Sequence, residues 1–298
     1  MRLAVIVPFL NEGLYLEGFL SSLERQTRPP DRLLLVDDGS EDASPDIASA
    51  FADGHPYASA LRRPSRPPED DRLAGAHEYQ AFQWALGHLD GDCDVVAKLD
   101  ADLELPPKSL ATIEARLDSD PQLGIAGAYL SVRGRRGATV REHSPPYHVR
   151  GATKFYRRAC LRDISPVPAI LGWDTIDEAK ARMLGWSTAS FEVPGGDPIH
   201  LRPTGAADGS LRAFWRWGAC AYAAGFHPLW VLLGAARRVA IRPPVIGGGA
   251  YLTGWVLAAL RRPPRAEPRV RSYLRHEQLQ RLRGNARVNR RHEEALSP

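Results

Sequence analysis

The chain has 298 residues but only three cysteines, two methionines and four lysines. Cys93, Cys160 and Cys220 are odd in number and far apart, which excludes a disulfide framework and any zinc-ligand spacing. The lysines (Lys98, Lys108, Lys154 and Lys180) are a small part of 39 basic residues, an arginine bias that a GC-rich genome produces without any need for guanidinium forks. The first apolar run, Leu3–Leu10, is interrupted by Asn11-Glu12 and has no small-residue cleavage site. It reads as a buried strand instead of a signal peptide, and the expectation is a protein on the cytoplasmic side. No repeat of fixed period is visible. Hydrophobic residues make up 44% and charged residues 25%, which excludes both a disordered chain and a polytopic membrane protein.

The formal net charge of +4 conceals an asymmetry. Residues 1–200 carry 22 basic and 30 acidic side chains, a balance of −8, whereas residues 201–298 carry 17 and 5, a balance of +12. Such a split predicts an ordinary domain joined to a basic segment that faces nucleic acid or an anionic membrane.

Strand-length apolar runs alternate with helical patterns through the first half. Leu3–Val7, Arg32–Val36, Asp94–Leu99 and Gly124–Val132 read as strands. Leu14–Gln26, Pro45–Phe51 (capped by Ser44), His77–Leu89 and Pro107–Ser119 read as helices. Continuous apolar strands alternating with helices predict an α/β fold, a mostly parallel central sheet covered by helices on both faces. Arg62–Asp71 and Arg133–Arg150 read as loops. The expected organisation is a catalytic domain over residues 1–209 and a helical, basic extension over 210–298.

Sheets of this kind bind ligands beyond the carboxyl ends of their strands. Polar clusters follow three strands directly: Asn11-Glu12, Asp37-Asp38 and Asp100-Ala101-Asp102. Two carboxylates with one residue between them, just past a buried strand, can turn toward one hard cation and share it with phosphate oxygens. Mg²⁺ and Mn²⁺ are held in this way. A carboxylate at the end of Val36-Asp37-Asp38-Gly39-Ser40 can accept from a base imide or a ribose hydroxyl. Each cluster alone is also an ordinary Asx-rich turn.

Taken in order, Pro8 to Glu12, Asp37 to Ser40 and Asp100 with Asp102 resemble the inverting family 2 glycosyltransferases, over about the first 200 residues. The resemblance implies the GT-A fold and a nucleotide-diphosphate-sugar donor contacted by Pro8, Glu12, Asp38, Lys98, Asp100 and Arg202. It implies Mg²⁺ or Mn²⁺ on Asp100, Asp102 and His200. It makes Gly151–Cys160 similar to the family's acceptor-side strand. Gly172–Trp186 then corresponds to the helix bearing the family's Glu-Asp pair, whose aspartate falls on Asp174 and whose glutamate is replaced by Trp173. Asp174 is the expected base, with Asp177 and Glu178 as rivals. Arg212, Arg216 and Trp217 lack the glutamine-containing motif of processive members, so no polymer synthase is expected.

Trp217–Ala236 and Pro243–Leu260 contain no Lys, Arg, Asp or Glu, and each is near the roughly 20 residues that cross a bilayer. Arginines flank both stretches and occupy the loop between them, against the positive-inside tendency for a hairpin. His227-Pro228 and Gly247-Gly248-Gly249 weaken the two stretches further. Helices lying on an anionic membrane surface fit better, the alternative being buried helices at a homodimer interface. The arginines are not interleaved with exposed stacking aromatics, and Trp215, Trp217, Trp230 and Trp255 lie among apolar residues, which argues against nucleic acid. Arg269–Arg291 reads as a solvated basic helix.

The combined expectation is a metal-dependent transferase acting on a hydroxyl or lipid-phosphate acceptor, in cell-envelope polysaccharide or glycolipid synthesis at the inner membrane face. A sugar-phosphate nucleotidyltransferase would want a glycine-rich basic loop after the first strand, which Pro8–Gly13 lacks. A non-catalytic nucleotide-sugar-binding scaffold would not need a base.

Overall fold

A computed structural model describes residues 1–64, 76–89, 92–133, 138–202, 210–238 and 246–284. The chain divides into two compact units, residues 1–169 with 184–203, and residues 170–183 with 204–298.

The first unit opens with β1 (Leu3–Phe9), α1 (Leu16–Glu24), β2 (Arg32–Asp37), α2 (Ser44–Gly54) and β3 (Ala58–Arg62). It continues through α3 (His77–Leu86), β4 (Val95–Leu99), β5 (Leu103–Glu104), α4 (Ser109–Ser119), β6 (Leu123–Ala128), β7 (Ser131–Arg133) and β8 (Thr139–Arg141). The elements β9 (Thr153–Arg157), α5 (Arg158–Ile164), β10 (Ser187–Phe191) and β11 (Ile199–His200) complete it.

Seven strands form the main sheet in the order β10-β6-β9-β4-β1-β2-β3. All pairs are parallel except those of β9, which runs antiparallel between β4 and β6. The apolar runs have no polar alternation because both faces are covered. Leu3, Val5 and Val7 of β1 and Phe155 of β9 share a core with Phe19 and Leu23 of α1 and Ile113 and Leu117 of α4. Tyr156, the next residue of β9, meets Phe82 of α3 in a ring stack at 5.8 Å. Pro8 is buried in β1 beyond the last residue paired with β4, where a missing N–H leaves no ladder bond unmade.

Several details depart from the sequence reading. Gly124–Val132 is not one strand, since β6 ends at Ala128 and β7 joins a second sheet of order β5-β11-β7-β8. Part of the expected loop Arg133–Arg150 is strand β8, while 134–137 lie outside the described residues, as do 65–71 of the other expected loop. Ser44 does not cap α2. It accepts the Glu12 N–H at 2.8 Å instead, tying the first loop to the second.

The second unit consists of α6 (Trp173–Met183), α7 (Ser210–Ala224), α8 (Pro228–Arg238), α9 (Ile246–Arg261) and α10 (Pro268–Leu282). Helix α6 thus groups with the later helices although it precedes residue 209, which itself lies outside the described residues. The first apolar stretch breaks between α7 and α8, where Pro228 starts the new helix. Gly247-Gly248-Gly249 do not interrupt the second stretch but form the first turn of α9, with Gly247 against the Phe214 ring. Helices α7 and α9 cross with almost no room for side chains. A Cβ on Gly254 would lie 1.9 Å from the Trp215 carbonyl oxygen, and one on Gly218 1.9 Å from that of Tyr251.

Helix α10 is not simply solvated. Its buried Glu277 receives Arg182 of α6 at 2.8 Å, and Val270 and Leu274 are buried beside it. The tail from residue 285 lies outside the described residues. Among the described residues, no helix is long and apolar enough to cross a membrane.

Candidate active site

Two loops at the carboxyl ends of β1 and β2 are laced together by short polar side chains. Asn11 adopts a left-handed φ of 55°, its N–H donates to Ser40 Oγ at 2.9 Å, and its Oδ1 accepts the Glu41 N–H at 2.9 Å. Asp37 Oδ1 accepts the N–H groups of Gly39 and Ser40 at 3.1 and 2.7 Å. The turn requires φ of +98° at Gly39, a conformation that glycine adopts without strain. Asp37 is therefore occupied in shaping the turn. Asp38 pairs with Arg63 at 2.8 Å, and the same guanidinium reaches Gln80 at 3.1 Å.

At the end of β4, Lys98 is fully buried, and its Nζ contacts Asp100 Oδ1, the Gly151 carbonyl at 3.1 Å and Glu78 at 3.4 Å. Burial disfavours the ammonium, but Asp100 and Glu78 outweigh that cost and hold the Lys98 pKa above the ordinary lysine value. The lysine stays charged and fixes the Asp100 carboxylate.

The second sheet brings the remote histidine to this loop. Strand β11 pairs with β5, His200 opposite Leu103, and Leu201 N–H donates to the Asp102 carbonyl at 2.9 Å. Asp102, Asp100 and His200 each offer a donor atom, all within 4.8 Å of one another. His200 Nε2 lies 3.3 Å from Asp102, and Arg202 Nε donates to the same carboxylate at 2.9 Å. Arg202 also pairs with Glu12, and its guanidinium lies 5.2 Å from the Tyr15 ring centre.

Burial opposes ionisation of Asp102, yet the hydrogen bonds and charges of His200 and Arg202 keep its pKa below the usual carboxylate value. Burial likewise works against a charged His200, and Asp102, Asp100 and Glu142 raise its pKa in spite of it. Burial raises the Glu12 pKa, and Arg202 offsets this only in part.

This donor set fits a divalent cation. Two carboxylates and an imidazole converge, and among the described residues the buried Nδ1 of His200 and Oε2 of Glu12 have no hydrogen-bond partner. Carboxylate oxygens suit Mg²⁺ and Mn²⁺, and imidazole is a common ligand for first-row transition metals.

The other sequence-derived candidates belong to the second unit. Asp174 is half-buried in the first turn of α6. Asp177 and Glu178 are 0% and 1% exposed; Asp177 accepts the Glu178 N–H at 2.6 Å, and Glu178 lies 3.5 Å from Arg182. Both are set into the packing of that helix, and Asp174 alone of the three retains partial solvent exposure. In the first unit, Arg157 ends β9 and Arg158 begins α5, and Arg157 donates to the Leu123 and Asp120 carbonyls at 3.0 Å. Its role there is to close the end of α4.

Sequence reasoning missed Arg63, Glu78 and Tyr15. Arg63 follows β3, whose half-exposed residues carry no apolar signal. Glu78 sits in the first turn of α3, where an acidic residue is ordinary.

The family model described as Glycosyl transferase family 2 matches residues 4–167, more than half of the chain. A curated relative, the undecaprenyl-phosphate 4-deoxy-4-formamido-L-arabinose transferase of Salmonella paratyphi B, is 29% identical over 126 residues, 39% of this chain and 34% of its own. The chain thus spans about a third of the length of the curated relatives it matches. Among solved structures, the mannosyltransferase PcManGT from Pyrobaculum calidifontis, in complex with GDP-Man and Mn²⁺, aligns with a TM-score of 0.55 at 19% identity, covering 94% of this chain and 80% of that one. S. aureus TarS 1-349 in complex with UDP aligns with a TM-score of 0.53 at 16% identity, covering 88% and 72%. These likenesses establish the GT-A type of fold.

Proposed function

The chain belongs to glycosyl transferase family 2, and from that premise we propose that it moves a sugar, with inversion, from a nucleotide-diphosphate donor to a hydroxyl or lipid-phosphate acceptor. The observation that carries this reading is the convergence of Asp100, Asp102 and His200 within 4.8 Å at the carboxyl end of β4. The nucleotides in complex with the solved relatives, GDP-Man and UDP, support a donor of this class.

In this reading Asp38 and its partner Arg63 meet the nucleoside at the end of β2. Arg202, held by Glu12 and Asp102, supplies a guanidinium to the diphosphate, a geometry suited to paired phosphate oxygens. Asp100, Asp102 and His200 would hold Mg²⁺ or Mn²⁺, which when bound neutralises charge on the leaving diphosphate. Lys98 keeps Asp100 oriented from beneath.

Inversion requires the acceptor oxygen to attack the anomeric carbon opposite the leaving nucleotide. The carbon–oxygen bond to the diphosphate breaks as the new one forms. A hydroxyl acceptor must lose its proton, and Asp174 is the carboxylate for that role, since Asp177 and Glu178 are sealed in the helix. A phosphate acceptor is already anionic and needs no base. The undecaprenyl-phosphate named for the Salmonella relative supports a membrane-borne acceptor here, and hence a peripheral position at the inner membrane face.

The test is release of nucleoside diphosphate by the purified chain across a donor panel, with Mn²⁺ and with hydroxyl and polyprenyl-phosphate acceptors. Acceptor-dependent release supports the proposal. Absence of turnover with every pair, despite donor binding, would favour a binding scaffold.

A further inference from the structure

Exposed apolar side chains are concentrated in the second unit. Of the twelve large hydrophobic residues exposed among the described residues, six lie on α8 and α9. On α8 they are Leu229, Leu232 and Leu233, 45%, 55% and 39% exposed. On α9 they are Ile246, Val256 and Leu260, 56%, 47% and 73% exposed. Single surface leucines are ordinary, but runs of this kind at helical spacing mark a contact surface. These residues are not loose core. The opposite sides of the same helices already bury Val231, Ala235, Tyr251 and Ala258.

The charge around these stripes identifies what covers them. Between Asp208 and Glu267 the sequence has eight arginines and no carboxylate. Arg237 lies in the last turn of α8 and Arg261 ends α9, both exposed, so each apolar stripe runs into a cation at its C-terminal end. A second copy of the chain joined through these helices by two-fold symmetry would bring arginines against arginines with no carboxylate on either helix to pair them. Anionic phosphates complement the same pattern. Nor do the helices cross a bilayer: α9, at 16 residues, is about 24 Å long against a hydrocarbon core of about 30 Å.

We propose that α8 and α9 seat the protein on the surface of an anionic lipid bilayer. The leucines, Ile246 and Val256 enter the headgroup–acyl boundary, and Arg237 and Arg261 meet lipid phosphates. This surface is independent of the donor chemistry, and its test uses no sugar nucleotide.

The 298-residue chain is sedimented with vesicles of phosphatidylcholine alone and of phosphatidylcholine mixed with phosphatidylglycerol. Binding to the anionic vesicles is expected, weakened by salt and by about fivefold for each of Arg237→Gln and Arg261→Gln. The variant Leu232→Glu/Leu260→Glu should lose binding while keeping its thermal midpoint, because both side chains are exposed in the folded chain. The salt dependence of the wild type gives a readout that needs no variant. Three outcomes overturn the proposal: no binding to anionic vesicles, binding unaffected by the leucine variant, or a dimer in sedimentation equilibrium that the leucine variant dissolves.

Discussion

Lys98→Met deletes a buried ammonium while keeping most of its apolar stem, and it isolates what holds Asp100 in place. In the wild type the Nζ contacts the Asp100 carboxylate, the Gly151 carbonyl at 3.1 Å and Glu78 at 3.4 Å. A charge-assisted hydrogen bond of this kind contributes about 1.5–3 kcal/mol. Methionine recovers much of that in the folding balance, since an apolar group in a fully buried position avoids the desolvation cost of a cation. Asp100 and Glu78 both retain contact with solvent and stay hydrated, so the thermal midpoint should move little. The metal site has no such compensation. With its anchor gone, Asp100 samples other rotamers, and loss of an outer partner of a ligand typically lowers metal affinity about 10–100-fold. Calorimetric titration of the full chain with Mn²⁺ should show that loss, alongside a nearly unchanged unfolding transition. Wild-type affinity in Lys98→Met would refute the positioning role. A collapse of the unfolding transition would show that the lysine serves the fold instead.

Other perturbations probe different links in the account. Asp174→Asn should cut transfer to a hydroxyl acceptor by about 10²–10⁴, and spare transfer to a phosphate acceptor, read as initial rates with saturating donor. Glu277→Ala removes the nearer of two carboxylates from the buried Arg182 and should cost about 3 kcal/mol in denaturant unfolding, because both partners are buried. Gly254→Ala must part α7 from α9, since its Cβ would fall 1.9 Å from the Trp215 carbonyl, and a loss of at least about 1–3 kcal/mol is expected in the same assay. In metal-free protein the His200–Asp102 pair stabilises the fold between the two unfolded-state pKa values. That contribution is lost as pH rises through the raised value of His200, and again as it falls through the lowered value of Asp102. His200→Gln should flatten this dependence in a pH series of melting curves.

Much of the first unit was legible because its strands are buried on both faces. Leu3–Val7, Arg32–Val36 and Asp94–Leu99 stand out as unbroken apolar runs, and each ends at a polar cluster that does lie at the carboxyl edge of the sheet. The break at His227-Pro228 was equally legible, since proline cannot continue the preceding helix. The small second sheet was not. Its strands β5 and β11 are two residues each, too short for any periodicity, yet they bring His200 to Asp102 across the sequence. Glycine was misleading in α9, where a loss of helix propensity is compensated by close approach to α7. The polar pattern of α10 concealed Glu277, whose burial depends on Arg182 nearly a hundred residues away. Ion pairs between distant segments leave no local signature, and Arg63 with Asp38 is a second case.

The central claim is that the carboxyl-end cluster of β4 serves metal-dependent transfer of a sugar from a nucleotide. The most direct measurement is nucleoside diphosphate release by the wild type and by Asp102→Asn, with matched donor and acceptor, across a Mn²⁺ titration. The account predicts acceptor-dependent release that saturates with Mn²⁺ in the wild type and falls by at least about a hundredfold in the variant, at unchanged secondary structure. Release that proceeds equally in the variant, or that ignores both metal and acceptor, would contradict it.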